Sequence, residues 1–216
     1  MKRGYLLLPA CIGVVGLAAA LGFSEPQKDP KALAPAGMPE MKLPPGWTAE
    51  DMQTCMMAST PGKMHEYLAK AAGKWSGKCQ NWMAPGTEAL VSDCVATSTP
   101  VMDGRFVKTE FAGEMMGMPF NGFSLNGYDN VGQKFQAVWV DNMTTGMMVG
   151  TGELSADGKT MTWNYQTNCP LTKKPTTMRE IETITGPNSK TLEMWGIDPK
   201  SGKEYKCTFI EFKKQS

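Results

Sequence analysis

Residues 134–141 read KFQAVWVD, and the alternation within them decides the fold. Successive side chains of a strand point to opposite faces. Phe135, Ala137, Trp139 and Asp141 therefore share one face, and Gln136, Val138 and Val140 the other. The same period runs through TMTWNY, residues 160–165, where Met161, Trp163 and Tyr165 align. One face of each strand carries large aromatics. Upstream, GMPFNGFSLNGYDN (117–130) sets Gly117, Gly122 and Gly127 among Phe120, Phe123 and Tyr128. Glycine inside a strand lets a sheet bend or another backbone approach. Gly122 and Gly127 thus read as bend points whose space Phe120, Phe123 and Tyr128 fill. The rival reading has Tyr128 and Asp129 lining a mouth through which a ligand passes.

Outward from this stretch the period of 2 begins at Gly73 and does not revert. Turn signals divide the run at Pro85-Gly86, Asp103-Gly104, Asp129-Asn130, Asn142 to Thr145, Asp157-Gly158, Gly186-Pro187 and Ser201-Gly202. The spacing predicts a mainly β protein, an antiparallel meander of about ten strands, and a meander of that size hides its edges by closing into a barrel. Two short helices are expected before it. Thr48 with Asp51 reads as an N-cap and acidic first turn for TAEDMQTCMMAS. Thr60-Pro61 opens PGKMHEYLAKAAG, with Met64, Tyr67, Leu68 and Ala71 on one stripe.

The chain has 216 residues, and its N-terminus reads as an export signal. Lys2 and Arg3 precede a stretch from Tyr5 to Phe23 without charge. Cleavage after Ala20, Gly22 or Ser24, an uncleaved membrane anchor, and lipidation at Cys11 are the three readings of it. Residues 25–46 carry six prolines and no hydrophobic period, which suits an extended tether. The expected organisation is a signal or anchor over 1–24, a tether over 25–46 and a barrel domain with its helices over 47–216. The expected location is periplasmic or extracellular, with membrane attachment only through an uncleaved N-terminal segment.

Gly73-Lys74-Trp75, Pro85-Gly86, Gly104-Arg105-Phe106, Pro119-Phe120-Asn121-Gly122, Gly127-Tyr128-Asp129-Asn130, Trp139-Val140-Asp141-Asn142 and Thr145-Gly146 occur in an order that resembles the DUF1579 family, a bacterial domain family of unknown function. The resemblance covers residues 60 to 213 and brings a fold but no activity. Asp103 stands where the family usually has glycine, which bears only on the local turn. Gly73-Lys74-Trp75 is also similar to the glycine-x-tryptophan that opens lipocalin-like (calycin) barrels. That likeness implies that Trp75 closes the barrel base and stacks on Lys213 or Lys214. Fatty-acid-binding relatives hold a ligand carboxylate with interior arginines. The resemblance thus implies such a role for Arg105 and Arg179, the only arginines besides Arg3. The bland alternative pairs them with Asp141 or Glu180 for structure.

Net charge is +1, with no long basic run, so nucleic-acid binding is not expected. Beyond Cys11 the cysteines are Cys55, Cys79, Cys94, Cys169 and Cys207. A hairpin folded about Pro85-Gly86 sets Cys79 opposite Cys94, a plausible disulfide in an exported chain. Cys169 with Cys207 is a second candidate pair, leaving Cys55 odd. No C-x-x-C spacing suggests zinc, and no cofactor is expected. Eighteen methionines, clustered at 56–57, 115–118 and 147–148, read as adaptable core filling or as thioether ligands for Cu(I). His65 is the only histidine and reads as a packing or capping residue rather than a general base. Glu180 and Glu182 share a strand face and read as surface charges.

No catalytic constellation emerges. The first reading is a non-catalytic barrel binding a small apolar or amphipathic molecule among Trp139, Trp163, Tyr165 and methionines, with Arg105, Tyr128, Asp141 and Arg179 as further candidates. The second is a solidly packed envelope protein that acts through interaction; an enzyme is the weakest.

Overall fold

The computed structural model describes residues 43–215, so the expected leader and most of the expected tether lie outside the described residues. The chain divides into two units, Met1–Ser59 and Thr60–Ser216. Helix α1 (Ala49–Ser59) belongs to the first. Its start is the predicted cap: Thr48 Oγ1 accepts the Asp51 N–H at 3.1 Å, and Asp51 Oδ2 accepts the Thr48 N–H at 2.8 Å. The Thr48 N–H and the Thr48 hydroxyl, which also donates to Asp51 Oδ2 at 2.8 Å, favour the carboxylate and hold Asp51 below the usual carboxylate range. Among the described residues no helix is long and apolar enough to cross a membrane.

The second unit starts with α2 (Lys63–Ala69) and continues as ten strands. They are β1 (Gly73–Asn81), β2 (Leu90–Val101), β3 (Phe106–Met115), β4 (Met118–Asp129), β5 (Lys134–Asp141), β6 (Met148–Leu154), β7 (Thr160–Asn168), β8 (Pro175–Gly186), β9 (Ser189–Ile197) and β10 (Glu204–Lys214). Each pairs antiparallel with the next, and β1 pairs with β10, so the sheet closes without an edge. The predicted barrel is the one observed.

Closure is fixed where the chain enters β1. Trp75 lies opposite Lys214, whose ammonium sits 5.4 Å from the Trp75 ring centroid. Trp75 Nε1 donates to Ala71 O at 2.9 Å, which ties the end of α2 to the ring. Of the two lysines implied to stack on this tryptophan, Lys214 does so. Gly73 adopts φ +121, and a Cβ there would stand 2.7 Å from Lys214 Cε, so glycine is the residue this junction admits.

Helix α2 plugs one end of the barrel. Leu68 is buried with Val107, Phe135, Ala137, Met161, Trp163 and Tyr165. His65 Nδ1 accepts the Gly62 N–H at 3.0 Å, and the His65 ring meets Tyr128 edge-on at 6.0 Å. The lone histidine thus caps and packs. Met64, expected on the inward stripe, is exposed; Tyr67, Leu68 and Ala71 face inward. The opposite end, formed by the β1–β2, β3–β4, β5–β6, β7–β8 and β9–β10 connections, carries no such plug among the described residues.

A second cluster, Trp75, Cys79, Cys94, Ala96, Ile210 and Phe212, packs across the closure seam. Gly77 makes that packing fit: a Cβ on it would meet Cys94 Sγ at 2.6 Å, Ile210 Cγ2 at 2.8 Å and Phe212 Cδ1 at 2.9 Å. Gly122 and Gly127 are close-approach positions too, but different rings occupy their space. Trp139 covers Gly122 and Phe106 covers Gly127, because cross-strand neighbours lie nearer than rings on the glycines' own strand.

Gly77→Ala is expected to lower unfolding stability by about 1–3 kcal/mol through overpacking. Urea titration followed by tryptophan fluorescence checks this, and an unchanged midpoint would contradict the packing described.

Candidate functional site: a charged floor in an apolar cavity

Ten strands enclose more width than their side chains fill. The interior is a cavity of about 800 Å³. Its walls include Phe111, Trp139, Met178, Leu192 and Met194, and its lower wall includes Trp163 and Tyr165. Period 2 places Trp139 and Asp141 inside β5 as the sequence suggested, and Trp163 and Tyr165 inside β7. Asp141 is committed locally: it accepts Trp139 Nε1 at 2.8 Å and the N–H groups of Met143 and Thr144 at 2.9 and 3.0 Å.

The same period corrects the reading of β8. Glu180 lies opposite Trp163 and Met194, and Glu182 opposite Met161 and Leu192, so both carboxylates point into the barrel. They are not surface charges. Lys190, on β9, is their counter-ion: its Nζ lies 2.7 Å from Glu182 Oε2 and 5.2 and 5.4 Å from the ring centroids of Trp75 and Phe212.

These groups titrate abnormally. Burial, reinforced by the charge of Glu182, pushes the Glu180 carboxyl up to about 8, with Lys190 pulling the other way. Burial also opposes ionisation of Glu182, but the Lys190 charge and hydrogen bond, with the Trp163 indole turned toward it, hold Glu182 below the ordinary range. Burial and then Glu182 push Tyr67 up to about 12; burial and then Glu180 and Glu182 raise Tyr165 as well. Glu180 makes no hydrogen bond or ion pair among the described residues. Two more buried polar atoms lack a hydrogen bond of adequate geometry: Trp163 Nε1, which leans toward Glu182 without making one, and Asn126 Oδ1. Unsatisfied buried polar atoms are few in folded proteins, and here both belong to residues lining the cavity that holds Glu180.

Both arginines lie elsewhere. Arg179 is on the outer face of β8, where Nε and Nη2 bond Glu204 Oε1 and Oε2 at 3.2 and 2.8 Å and the guanidinium covers Trp195 at 5.2 Å. Being one residue from Glu180 on a strand puts it on the opposite side. Arg105 belongs to the β2–β3 turn, bonded to Met102 O at 3.3 Å with Asp103 Oδ2 at 3.7 Å. Neither lines the cavity, and neither pairs with Asp141 or Glu180. Tyr128 and Asp129 stand at the plugged end, not at a mouth: Tyr128 packs on Phe135 at 4.9 Å, and Asp129 Oδ1 accepts the Val131 N–H.

Cys79, Cys94, Cys169 and Cys207 are free thiols. Cys94 pairs with Gly77 and Cys79 with Ser92, so the hairpin register differs by two residues from that expected and the two cysteines are diagonal neighbours. Their thiols nevertheless share a hydrogen bond. It lowers the Cys79 pKa, while the same bond, burial and the nearby charges raise that of Cys94. Cys207 donates to Met194 O at 3.3 Å, and Cys169 lies just beyond the end of β7.

Glu180, Glu182 and Lys190 are the site residues that sequence reasoning missed. In TMREIETI each face of the strand carries both apolar and charged residues, so hydrophobicity does not choose the inner one. The usable signal was register: with Met161 and Trp163 inward on β7, their partners Glu182 and Glu180 must be inward too.

The architecture is a closed ten-stranded antiparallel barrel with one end plugged and a hollow interior. Residues 60–214 match the family described as protein of unknown function (DUF1579), and the chain belongs to that family. Among solved structures it is similar to Rv2717c from M. tuberculosis, at 13% identity and TM-score 0.54, covering 73% of this chain and 100% of that one. It is also similar to the S-type phycobiliprotein lyase CPES from Guillardia theta, at 9% identity and TM-score 0.51, covering 72% of this chain and 94% of that one. At such identities the likeness is one of fold. No curated protein matches the chain.

Lys190→Met strands a buried carboxylate and is expected to cost about 3–5 kcal/mol, most of it recovered in Lys190→Met/Glu182→Gln. Equal loss in the double variant would contradict the pairing. A second expectation concerns pH. Glu180 binds its proton more tightly folded than unfolded, so its contribution to stability declines as pH rises from its ordinary 4.5 toward about 8. Glu182, with a lowered pKa, contributes in the opposite sense only below that window. Urea midpoints across this range should fall in the native protein relative to Glu180→Gln; parallel profiles would contradict the assignment.

Proposed function

We propose that the protein is an exported, non-catalytic barrel that binds a small apolar or amphipathic molecule in its interior. The observation that carries this reading is the cavity of about 800 Å³, within the roughly 300–1,000 Å³ of ligand sites and too large for a solidly packed barrel. The mouth supports it: Met83, Met116, Met147 and Leu171, on four of its five connections, are exposed apolar side chains around the opening. Methionine walls adapt to varied ligand shapes. The phycobiliprotein lyase among the similar structures is compatible with an occupied barrel.

Export is supported by Lys2 and Arg3 before the uncharged stretch from Tyr5 to Phe23. A Cys79–Cys94 disulfide in an oxidising compartment belongs to this reading, supported by their being diagonal neighbours on β1 and β2.

Titration of the whole chain with the neutral fluorophore N-phenyl-1-naphthylamine tests the binding reading. Saturation near one equivalent with a blue shift is expected, with displacement of the fluorophore by an excess of decanol. Absence of saturable binding by the native protein would refute the reading.

A further inference from the structure

The chemistry of the lining specifies the ligand further, on the premise that the cavity is a binding site. The wall carries four carboxylates, Glu114, Asp141, Glu180 and Glu182, against two lysines, Lys70 and Lys190. Lys70 is exposed beside the Tyr67 ring, at 5.8 Å. Lys190 is committed to Glu182 and to the faces of Trp75 and Phe212. An anionic head group would therefore find no uncommitted cation at the floor.

Glu180 is the group without a partner. Facing it are Trp163 and Tyr165 from β7, Met194 and Lys190 from β9, and Glu182 from its own strand; Tyr67 from α2 lies nearer Glu182. The two aromatic rings beside it are stacked at 6.4 Å. Trp163 and Tyr165 are 1% and 3% exposed, so their faces are covered, and an ammonium group would meet Glu180 through charge and not through the rings. A buried carboxylate left unpaired costs free energy, and a ligand cation removes that cost. Above this floor, Met178 and Met194 lead toward the apolar mouth.

We propose that the cavity selects amphiphiles with a cationic head, the head seated against Glu180 and the apolar tail directed toward the methionine-rich opening. This inverts the carboxylate-binding role implied for the arginines. A proton is coupled to the binding. In the empty cavity Glu180 holds its proton at neutral pH, and a permanent cation requires the ionised form. Binding then releases that proton to solvent, and affinity rises with pH by up to about tenfold per unit until Glu180 is ionised, then levels.

Calorimetric titration of the whole chain with decyltrimethylammonium, decanol and decanoate tests this, each below its micelle concentration and between about pH 6 and pH 9. The ammonium compound should bind about tenfold or more tighter than decanoate, with proton release below pH 8. Its advantage over decanol should vanish in Glu180→Gln and persist in Glu180→Asp, which keeps the carboxylate. Tighter binding of decanoate, or an ammonium preference that survives in Glu180→Gln, overturns the inference while leaving the cavity as a binding site. Failure of all three compounds to bind the native protein overturns the binding reading itself and this inference with it.

Discussion

Everything else in the barrel depends on the pairing of β1 with β10. That ladder, from Trp75 opposite Lys214 to Asn81 opposite Thr208, turns an open ten-stranded meander into a ring with no unpaired edge. Eight strands close around a space that side chains just fill; ten strands leave more width, and the surplus is the cavity. The seam holds because Gly73 and Gly77 let Lys214, Cys94, Ile210 and Phe212 come close, and because Trp75 bonds the chain leaving α2. One contact set thus closes the ring, anchors the helix that plugs it and sets the width of the interior.

Chemistry then follows from which side of the ring each residue meets. Alternation sends Arg179 outward to Glu204 and Glu180 inward to a place with no partner, although they are neighbours in sequence. Inside, burial divides two similar carboxyls. Glu182, paired with Lys190, keeps its charge; Glu180, lacking a partner, holds its proton to about pH 8. An apolar vessel with one uncommitted carboxyl at its floor is the physical content of the functional reading.

The barrel was legible in the sequence because period 2, interrupted by glycine, proline and asparagine turns, is a strong signal, and KFQAVWVD shows its inner face directly. The Thr48 cap and the packing role of His65 were legible for local reasons, from residues whose spacing is fixed, whereas the Trp75–Lys214 contact came from the likeness of Gly73-Lys74-Trp75 to the opening of lipocalin-like barrels. The charged floor was not, because β8 presents mixed chemistry on both faces and its orientation is inherited from β7 by register. Scarcity drew attention to Arg105 and Arg179, yet scarcity says nothing of direction. The hairpin carrying Cys79 and Cys94 shows the same limit, since a loop centre displaced by one residue moves the pairing by two.

The central claim is that the barrel is a vessel and not a solid core. Native mass spectrometry of the whole chain, taken from its producing cells, tests it most directly. A discrete extra mass on the native protein, released on denaturation, is the predicted result. An unadorned mass, unchanged after incubation with apolar and amphipathic compounds, would contradict it.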